Sequence, residues 1–522
     1  MGKTVALHNL GCKVNAYETE VMTKQLEEAG YEIVNFNEKA DVYIINTCSV
    51  TNIADRKSRQ MLHRAKKLNK DACVVAAGCY VQGAREEMEK DAAVDVIVSN
   101  NRKGQIVDII DKYFEEKNIK DKESNILNET SDLAGDNNEV KLCKEYFIDI
   151  NKISGYEDMT LTDTGEKTRA YMKIQDGCNQ FCSYCIIPFV RGRIRSRSIE
   201  SIVKEAEGLA LRGYKEIVLT GIHISSYGKD YLKEKVNTKI DNNDVELDKN
   251  SGKGLESALK DENDYLSLSK ESEDVIEDNK NILSLIDVIE AVSKVDGIKR
   301  IRLGSLEPRI ITDNFVQRLV KQTKVCPHFH LSLQSGCDET LARMNRHYTC
   351  DEYEESCNIL RKYYDDPAIS TDVIVGFPGE TDEEFKTTHA FLKRIAFAKM
   401  HIFKYSRRKG TRADKMPNQI SDSVKQVRSE DLLSLEQNLA YAYINRNLGK
   451  EEEILLEEVI EVSGKDYMTG YTSTYVKVAA PIDDGKIYGI DVLEANGKII
   501  KVKLDRELES ELVLVNPIEW VE

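Results

Sequence analysis

Short apolar runs alternate with amphipathic stretches from the first residues onward. TVALHNLG, DVYIINT, ACVVAAG and VDVIVSN read as strands, and ETEVMTKQLEEAG, IADRKSRQMLHRAKKL and GAREEMEKD between them read as helices. In the first helix Met22, Leu26 and Ala29 share one face and Gly30 supplies a stop. Such β-α-β alternation predicts an open parallel sheet with helices on its faces, here over residues 1–115. The pattern resumes over 166–444. AYMKIQD, EIVLTG, RIRLGS, FHLSLQS, DVIVGFP and KMHIFKYS are six strand candidates, with helix-like runs such as SIVKEAEGLALRG and SLIDVIEAVSKV between them. Repeated βα units predict a full or partial barrel whose active site faces the strand C-termini. Residues 445–522 change character: ILLEEVIEV, YMTGYTSTYVKVAA, KIYGIDVLEA and KIIKVKL are short runs parted by Gly and Asp turns, which predicts a small antiparallel β-barrel. The expected fold class is α/β, with a β-barrel appended.

Two segments interrupt this pattern, 116–165 and about 229–280, both rich in Asn, Asp, Ser, Lys and Glu with little periodicity. They read as an acidic linker and an acidic surface insertion, largely disordered. They also change the meaning of the charge. The 522 residues carry a net −16, which points away from nucleic acid. Yet 111–168 carries −7, 229–280 carries −6 and 445–522 carries −8, so the remainder is mildly basic at +5. With 41% hydrophobic and 31% charged residues the chain is expected to be soluble, and no apolar run approaches the roughly 18 residues of a membrane helix. The first twenty residues lack a basic region followed by an apolar core, so a cytoplasmic protein is expected.

Twelve cysteines are too few for a disulfide scaffold in a chain of this length, and their grouping decides what they do. Cys178, Cys182 and Cys185, in DGCNQFCSYCIIP, follow the first strand of the predicted barrel with C-x3-C-x2-C spacing. No nearby His or fourth Cys completes a zinc site, whereas three thiolates on a four-iron cube leave one iron open to another ligand. Cys12, Cys48 and Cys79 lie far apart in sequence, but each follows a predicted strand, and ligands in open α/β sheets gather outside the carboxyl ends of strands. They can converge on a second metal site or stand as separate core thiols. Cys73 begins a strand and reads as core.

C-x3-C-x2-C after the first strand of a (β/α) barrel resembles the radical SAM signature. LGCKVNAYETE, INTCSVTNIADRKSR and AAGCYVQ resemble the N-terminal domain of radical SAM methylthiotransferases, and RIRLGSLEP, HLSLQSGCDETLARMNRHYT and STDVIVGFPGET resemble that family's core blocks. The resemblance implies that Cys178, Cys182 and Cys185 hold a 4Fe-4S cluster that chelates S-adenosylmethionine and cleaves it to a 5′-deoxyadenosyl radical. It implies that Cys12, Cys48 and Cys79 hold a second 4Fe-4S cluster, on which one S-adenosylmethionine methylates a sulfur. The methylthio group then goes to an unactivated aromatic carbon, a position that acid–base chemistry alone does not reach and a cofactor radical does. The wording is most similar to the bacterial branch acting at carbon 2 of threonylcarbamoyladenosine at position 37 of tRNA. Relatives acting on isopentenyladenosine usually carry Gln-Met in place of Lys13 and Val14, and a third branch modifies a ribosomal protein. By the same resemblance Gly221, Ser305, Glu307, Gln334 and Gly376 lie around S-adenosylmethionine, and the last domain is TRAM-like, an RNA-binding module. The implied partners are tRNA and a one-electron donor such as flavodoxin or ferredoxin, with no membrane and no DNA.

Two basic runs offer phosphate contacts: RGRIRSR, with Arg191 and Arg193, and SRRKGTR, with Arg407 and Arg408. In the C-terminal barrel Lys501 is a further RNA candidate, and Tyr471 and Tyr475 are possible base-stacking platforms. A rival reading is a non-catalytic RNA-binding protein whose cysteines are structural or hold zinc.

Overall fold

The computed structural model describes residues 2–130, 144–161, 168–231 and 283–521. Six parallel strands form the N-terminal sheet: β1 (Thr4–Asn9), β2 (Glu32–Ile33), β3 (Val42–Thr47), β4 (Cys73–Gly78), β5 (Val96–Val98) and β6 (Lys144–Tyr146), in the order β2-β1-β3-β4-β5-β6. Every residue of β3 and β4 is buried, Cys73 included, as expected of strands covered on both faces. Helix α1 (Lys13–Glu28) packs Tyr17, Val21, Met22 and Leu26 on one face of the sheet, and α2 (Asn52–Leu68) packs Leu62 and Ala65 on the other. Ala29 is exposed rather than on the buried face, because the helix stops there and Gly30 turns the chain at φ +88.

The segment 116–165 is not a linker where it is described. The helix Ile106–Thr130 covers 116–130, β6 adds the sixth strand of the sheet, and Met159 and Leu161 join the N-terminal core. A three-residue strand is too short to show alternation in sequence, which is why polar composition misled there. Residues 131–143 and 162–167 lie outside the described residues, as do 232–282, which hold nearly all of the expected insertion. The chain leaves and returns at one point: a Cβ on Gly228 would lie 1.8 Å from the Leu283 carbonyl oxygen.

Strands β7 (Arg169–Asp176), β9 (Glu216–Gly221) and β10 (Arg300–Leu303) pair in parallel, with β8 (Arg195–Ser196) antiparallel on the edge of β7. Bridges at Ile301–Val325 and Leu306–Leu331 lead on to β11 (His328–His330), β12 (Ala368–Val375) and β13 (Lys399–Lys404), again parallel. No pairing among the described strands joins β13 to β7, so this is a partial barrel of six parallel strands.

The helix Asp422–Asn447 crosses the expected boundary at 444 and plants Tyr443 and Ile444 in the core of the last domain. There β14 (Glu451–Val462), β15 (Lys465–Thr472), β16 (Lys477–Pro481), β19 (Ile499–Glu509) and β20 (Leu512–Trp520) close a barrel, with a small hairpin of β17 (Lys486–Ile487) and β18 (Ile490–Asp491) beside it. All its ladders are antiparallel except β16 with β20.

Three arginines of the partial barrel hold this domain. Arg302 donates to Glu216 (2.7 Å) and to the carbonyls of Thr472 (2.7 Å) and Ser473 (2.9 Å), and it lies 4.6 Å from the Tyr475 ring centre. Arg300 donates to the Tyr471 carbonyl, and Arg169 donates to the Tyr475 hydroxyl and Glu457. Removing one partner of a buried ion pair costs about 3–5 kcal/mol. Arg302→Met is therefore expected to undock the β-barrel. The single tryptophan, Trp520, reports on it: its fluorescence transition in guanidinium is expected to coincide with the main circular-dichroism transition in the parent and to fall below it in the variant.

Candidate active site

The loop that follows β7 carries the first cysteine triad. Gly177 turns the chain at φ +70, and a Cβ there would lie 1.8 Å from the Arg193 carbonyl oxygen, so only glycine fits. Cys178 N donates to the Gly192 carbonyl (3.0 Å), Ser183 N to that of Met344 (2.9 Å), and Asn345 Nδ2 to that of Phe181 (3.1 Å). The first closes the loop on itself, and the other two tie it to the segment between β11 and β12. Arg346 from that segment donates Nη1 to Cys182 Sγ at 3.2 Å and Nη2 to the Ser332 carbonyl. Burial pushes the Cys178 thiol up to about 12, with Cys182 adding to it, and burial followed by Cys182 and Cys178 raises Cys185 well above the ordinary thiol range. Neighbouring thiols resist ionising together; a metal centre, which displaces their protons, is what lets them do so.

The other expected residues line the same mouth, at the ends of successive strands. Gly221 closes β9 against β7, where a Cβ would lie 2.8 Å from the Gln175 carbonyl oxygen. Beyond β10, Ser305 is exposed and Glu307 is buried, its carboxylate held below the usual range because Arg309, at 2.6 Å, outweighs burial. Gln334 adopts φ +73 and bridges to Val373 after β11. Gly376 ends β12 at φ +70, where a Cβ would collide with Lys425 Cγ at 2.3 Å, and its N–H is capped by Glu380. Gly221 and Gly376 thus serve close packing at the mouth. His223, which sequence reasoning missed, bonds Ser226 through Nδ1 (2.6 Å) and leaves Nε2 buried without a partner. Burial lowers its pKa to about 4, so the ring is neutral beside Glu307 and Arg346. An orphaned buried nitrogen at this mouth fits a polar ligand such as the amino-acid end of S-adenosylmethionine.

The second triad sits at the ends of three neighbouring strands. Cys12 caps α1 after β1, Cys48 follows β3, and Cys79 follows β4. Gly11 packs so closely on Cys48 that a Cβ would lie 2.7 Å from its sulfur, and Gly78 turns the chain into Cys79 at φ +97. Cys12 is exposed at the mouth, whereas Cys48 and Cys79 are buried; burial takes Cys48 up to about 11, with Cys79 and Cys12 adding to it. The soft three-thiol donor set, with no fourth Cys or His in the triad, fits a four-iron cluster with one iron open.

Between the triads lies a buried ionic network. Arg191, expected to face RNA, is fully buried: Nε donates to Cys79 Sγ (3.2 Å), Nη1 to Glu18 (2.6 Å) and Asp176 (3.2 Å), and Nη2 to Asn15 (2.6 Å). Lys103 and Lys173 also bond Glu18, and Lys173 reaches Asp176 at 3.3 Å. Arg195 and Arg197 of the same run are buried as well, so of its four arginines Arg193 alone is exposed, over the Phe181 ring at 4.5 Å. Arg408 is likewise corrected: it is buried against Asp55 (2.7 Å), Asn52 and Ser49 at the start of α2. Arg407 is exposed and pairs with Asp414. Sequence did carry a signal for Glu18, a carboxylate one turn from Asn15 on the buried face of an amphipathic helix.

In the C-terminal barrel, Tyr471 and Tyr475 stack on each other at 4.7 Å, Tyr475 stacks on His328 at 4.9 Å, and Arg169 covers both rings. They pack at the domain junction, with Tyr475 exposed at its edge. Lys501 is half-buried and paired with Glu451 (2.8 Å). Inside the partial barrel His330 and Asp372 pair at 3.3 Å with His401 nearby; these groups could share a cation, but His330 and Asp372 already satisfy one another.

Residues 4–99 match uncharacterized protein family UPF0004, and residues 172–392 match the radical SAM superfamily. Threonylcarbamoyladenosine tRNA methylthiotransferase MtaB of Bacillus subtilis (strain 168) is 37% identical over 96% of this chain and 93% of its own. The tRNA-2-methylthio-N(6)-dimethylallyladenosine synthase of Finegoldia magna is 30% identical over 94% and 92%. Among solved structures, the radical S-adenosylmethionine methyltransferase TsrM of Kitasatospora setae aligns with a TM-score of 0.48 at 15% identity over 79% of this chain and 77% of that one. A match of this identity, sustained over nearly the full length of both chains, makes this protein a member of the radical SAM methylthiotransferase family.

Proposed function

We propose that the chain is a tRNA methylthiotransferase that adds a methylthio group to carbon 2 of N6-threonylcarbamoyladenosine at position 37. Its cofactors are S-adenosylmethionine and two 4Fe-4S clusters, one on Cys178, Cys182 and Cys185 and one on Cys12, Cys48 and Cys79. One observation supports the reading: Arg191, six residues after Cys185, donates to Cys79 Sγ at 3.2 Å, which ties the segment that carries one triad to a cysteine of the other. The relatives named above act on tRNA, and the more similar of the two acts on threonylcarbamoyladenosine.

When bound, the cofactors supply the radical that activates the adenine and the methylthio group it receives. The chain holds and orients them. Arg346 donates to a ligand sulfur of the first triad, and His223 and Glu307 present a neutral nitrogen and a carboxylate at the mouth. Lys13, next to Cys12, is exposed and offers a cation to the carboxylate of a threonylcarbamoyl group, a charge that a neutral isopentenyl chain lacks. At the rim, exposed Arg193 with Phe181 and the exposed Phe189 supplies charge and aromatic surface for the anticodon loop, and Arg407 and Lys409 add charge. The C-terminal barrel then acts as a secondary RNA contact, its Lys501 half neutralised. The described residues contain no helix long and apolar enough to cross a membrane; a cytoplasmic setting with a flavodoxin or ferredoxin donor completes the reading.

Anaerobically reconstituted protein is expected to bind about eight irons, and Cys182→Ala about four, with circular dichroism unchanged and no methylthio nucleoside detected by mass spectrometry of its tRNA substrate. Product from Cys182→Ala would refute the reading. Arg193→Ala is expected to weaken tRNA binding across sequences and to lower the salt slope by about one, measured by filter binding over a salt series.

A further inference from the structure

The five N–H groups of Arg191 are spent in a way a simple ion pair does not require. The residue ends the helical turn Ile187–Arg191, directly after the first triad, and the next residue, Gly192, accepts the Cys178 N–H. Its Nη1 and Nη2 fork across Glu18, Asp176 and Asn15, and its Nε is turned to Cys79 Sγ at 3.2 Å. Asn100 Nδ2, 3.8 Å from the same sulfur, is held by the Val190 carbonyl at 2.8 Å.

The charges around this fork do not balance. Lys103, Lys173, Arg191 and Arg195 contact two carboxylates, Glu18 and Asp176. Even with Glu157, which faces Lys173 and Lys103 from the side of Gly104, counted as ionised, the cations are in excess. Buried charge without a counter-charge is costly, and the one remaining group that Arg191 addresses is a cysteine sulfur. A cluster held there would carry the missing negative charge.

We propose that Arg191 is a positioning residue that tunes the second cluster, raising its reduction potential through an N–H···S bond to Cys79 and through the surplus positive charge behind it. Hydrogen bonds to cluster sulfurs and local charge are among the levers that set iron–sulfur potentials. Because Arg191 follows the first triad along the chain, the same loop that holds the radical-generating cofactor also sets the electron affinity of its neighbour. This rests on the reading that Cys12, Cys48 and Cys79 hold a cluster.

The test uses the full chain carrying Cys178→Ala, Cys182→Ala and Cys185→Ala, so that the second triad alone can load, followed by an EPR-monitored redox titration. Arg191→Lys keeps the charge but cannot reproduce the fork, and Arg191→Gln removes both. Each variant is expected to keep about four irons and to show a midpoint shifted to more negative potential, further in Arg191→Gln than in Arg191→Lys. A loaded Arg191→Lys protein with the parent's midpoint would overturn the proposal. So would folded variants that both fail to load, since Arg191 would then serve assembly. A parent with no iron would overturn the cluster reading itself, and the proposal with it.

Discussion

Everything in this structure turns on a set of charges that has no business being dry. Arg191, Lys103 and Lys173 are fully buried, with Glu18 and Asp176 almost so, where the N-terminal sheet meets the partial barrel. Burial alone would raise both carboxylate pKa values, but Arg191 and the lysines hold Glu18 and Asp176 well below their usual range. Removing a carboxylate from such a network strands buried cations and costs about 3–5 kcal/mol. Its members come from α1, from the turn before Ile106, from β7 and from the loop after the first triad, so satisfying the network fixes the angle between the two domains.

That angle is what the chemistry needs. An open parallel sheet and a partial barrel each gather ligands at the C-terminal ends of their strands. Two such ends that faced apart would be two unrelated metal sites. Arg191 joins them through one buried network, bonding Glu18 on the N-terminal side and Cys79 Sγ at 3.2 Å, and burial raises the thiols of Cys48 and Cys178 at the two ends. The C-terminal barrel is fixed by a separate device, the Arg169, Arg300 and Arg302 set against Tyr475 and Glu216, which spends the tyrosines on packing.

Much of this was legible in the chain itself. Periodicity located the long strands and helices, and spacing located Cys178, Cys182 and Cys185, because both are local properties. Topology put Cys12, Cys48 and Cys79 after three strands, where the structure has them, but it left open whether they act together, and only the family resemblance joined them. What was not legible was burial of charge. Arg191 and Arg408 look like their exposed neighbours Arg193 and Arg407, and only a partner brought from another domain, Glu18 in one case and Asp55 in the other, separates them. Likewise β6 is too short for a pattern, and His223 acquires meaning only from the absence of a partner at Nε2.

If the buried Arg191 fork joins the two cysteine triads into a single site, as proposed, clusters held by them lie close enough to couple magnetically. Dipolar coupling between the two reduced clusters, read in the low-temperature EPR spectrum of the dithionite-treated holoenzyme, addresses it most directly. A broadened spectrum that collapses to a single uncoupled signal in Cys12→Ala is expected. A holoenzyme spectrum equal to the sum of two independent clusters would contradict it.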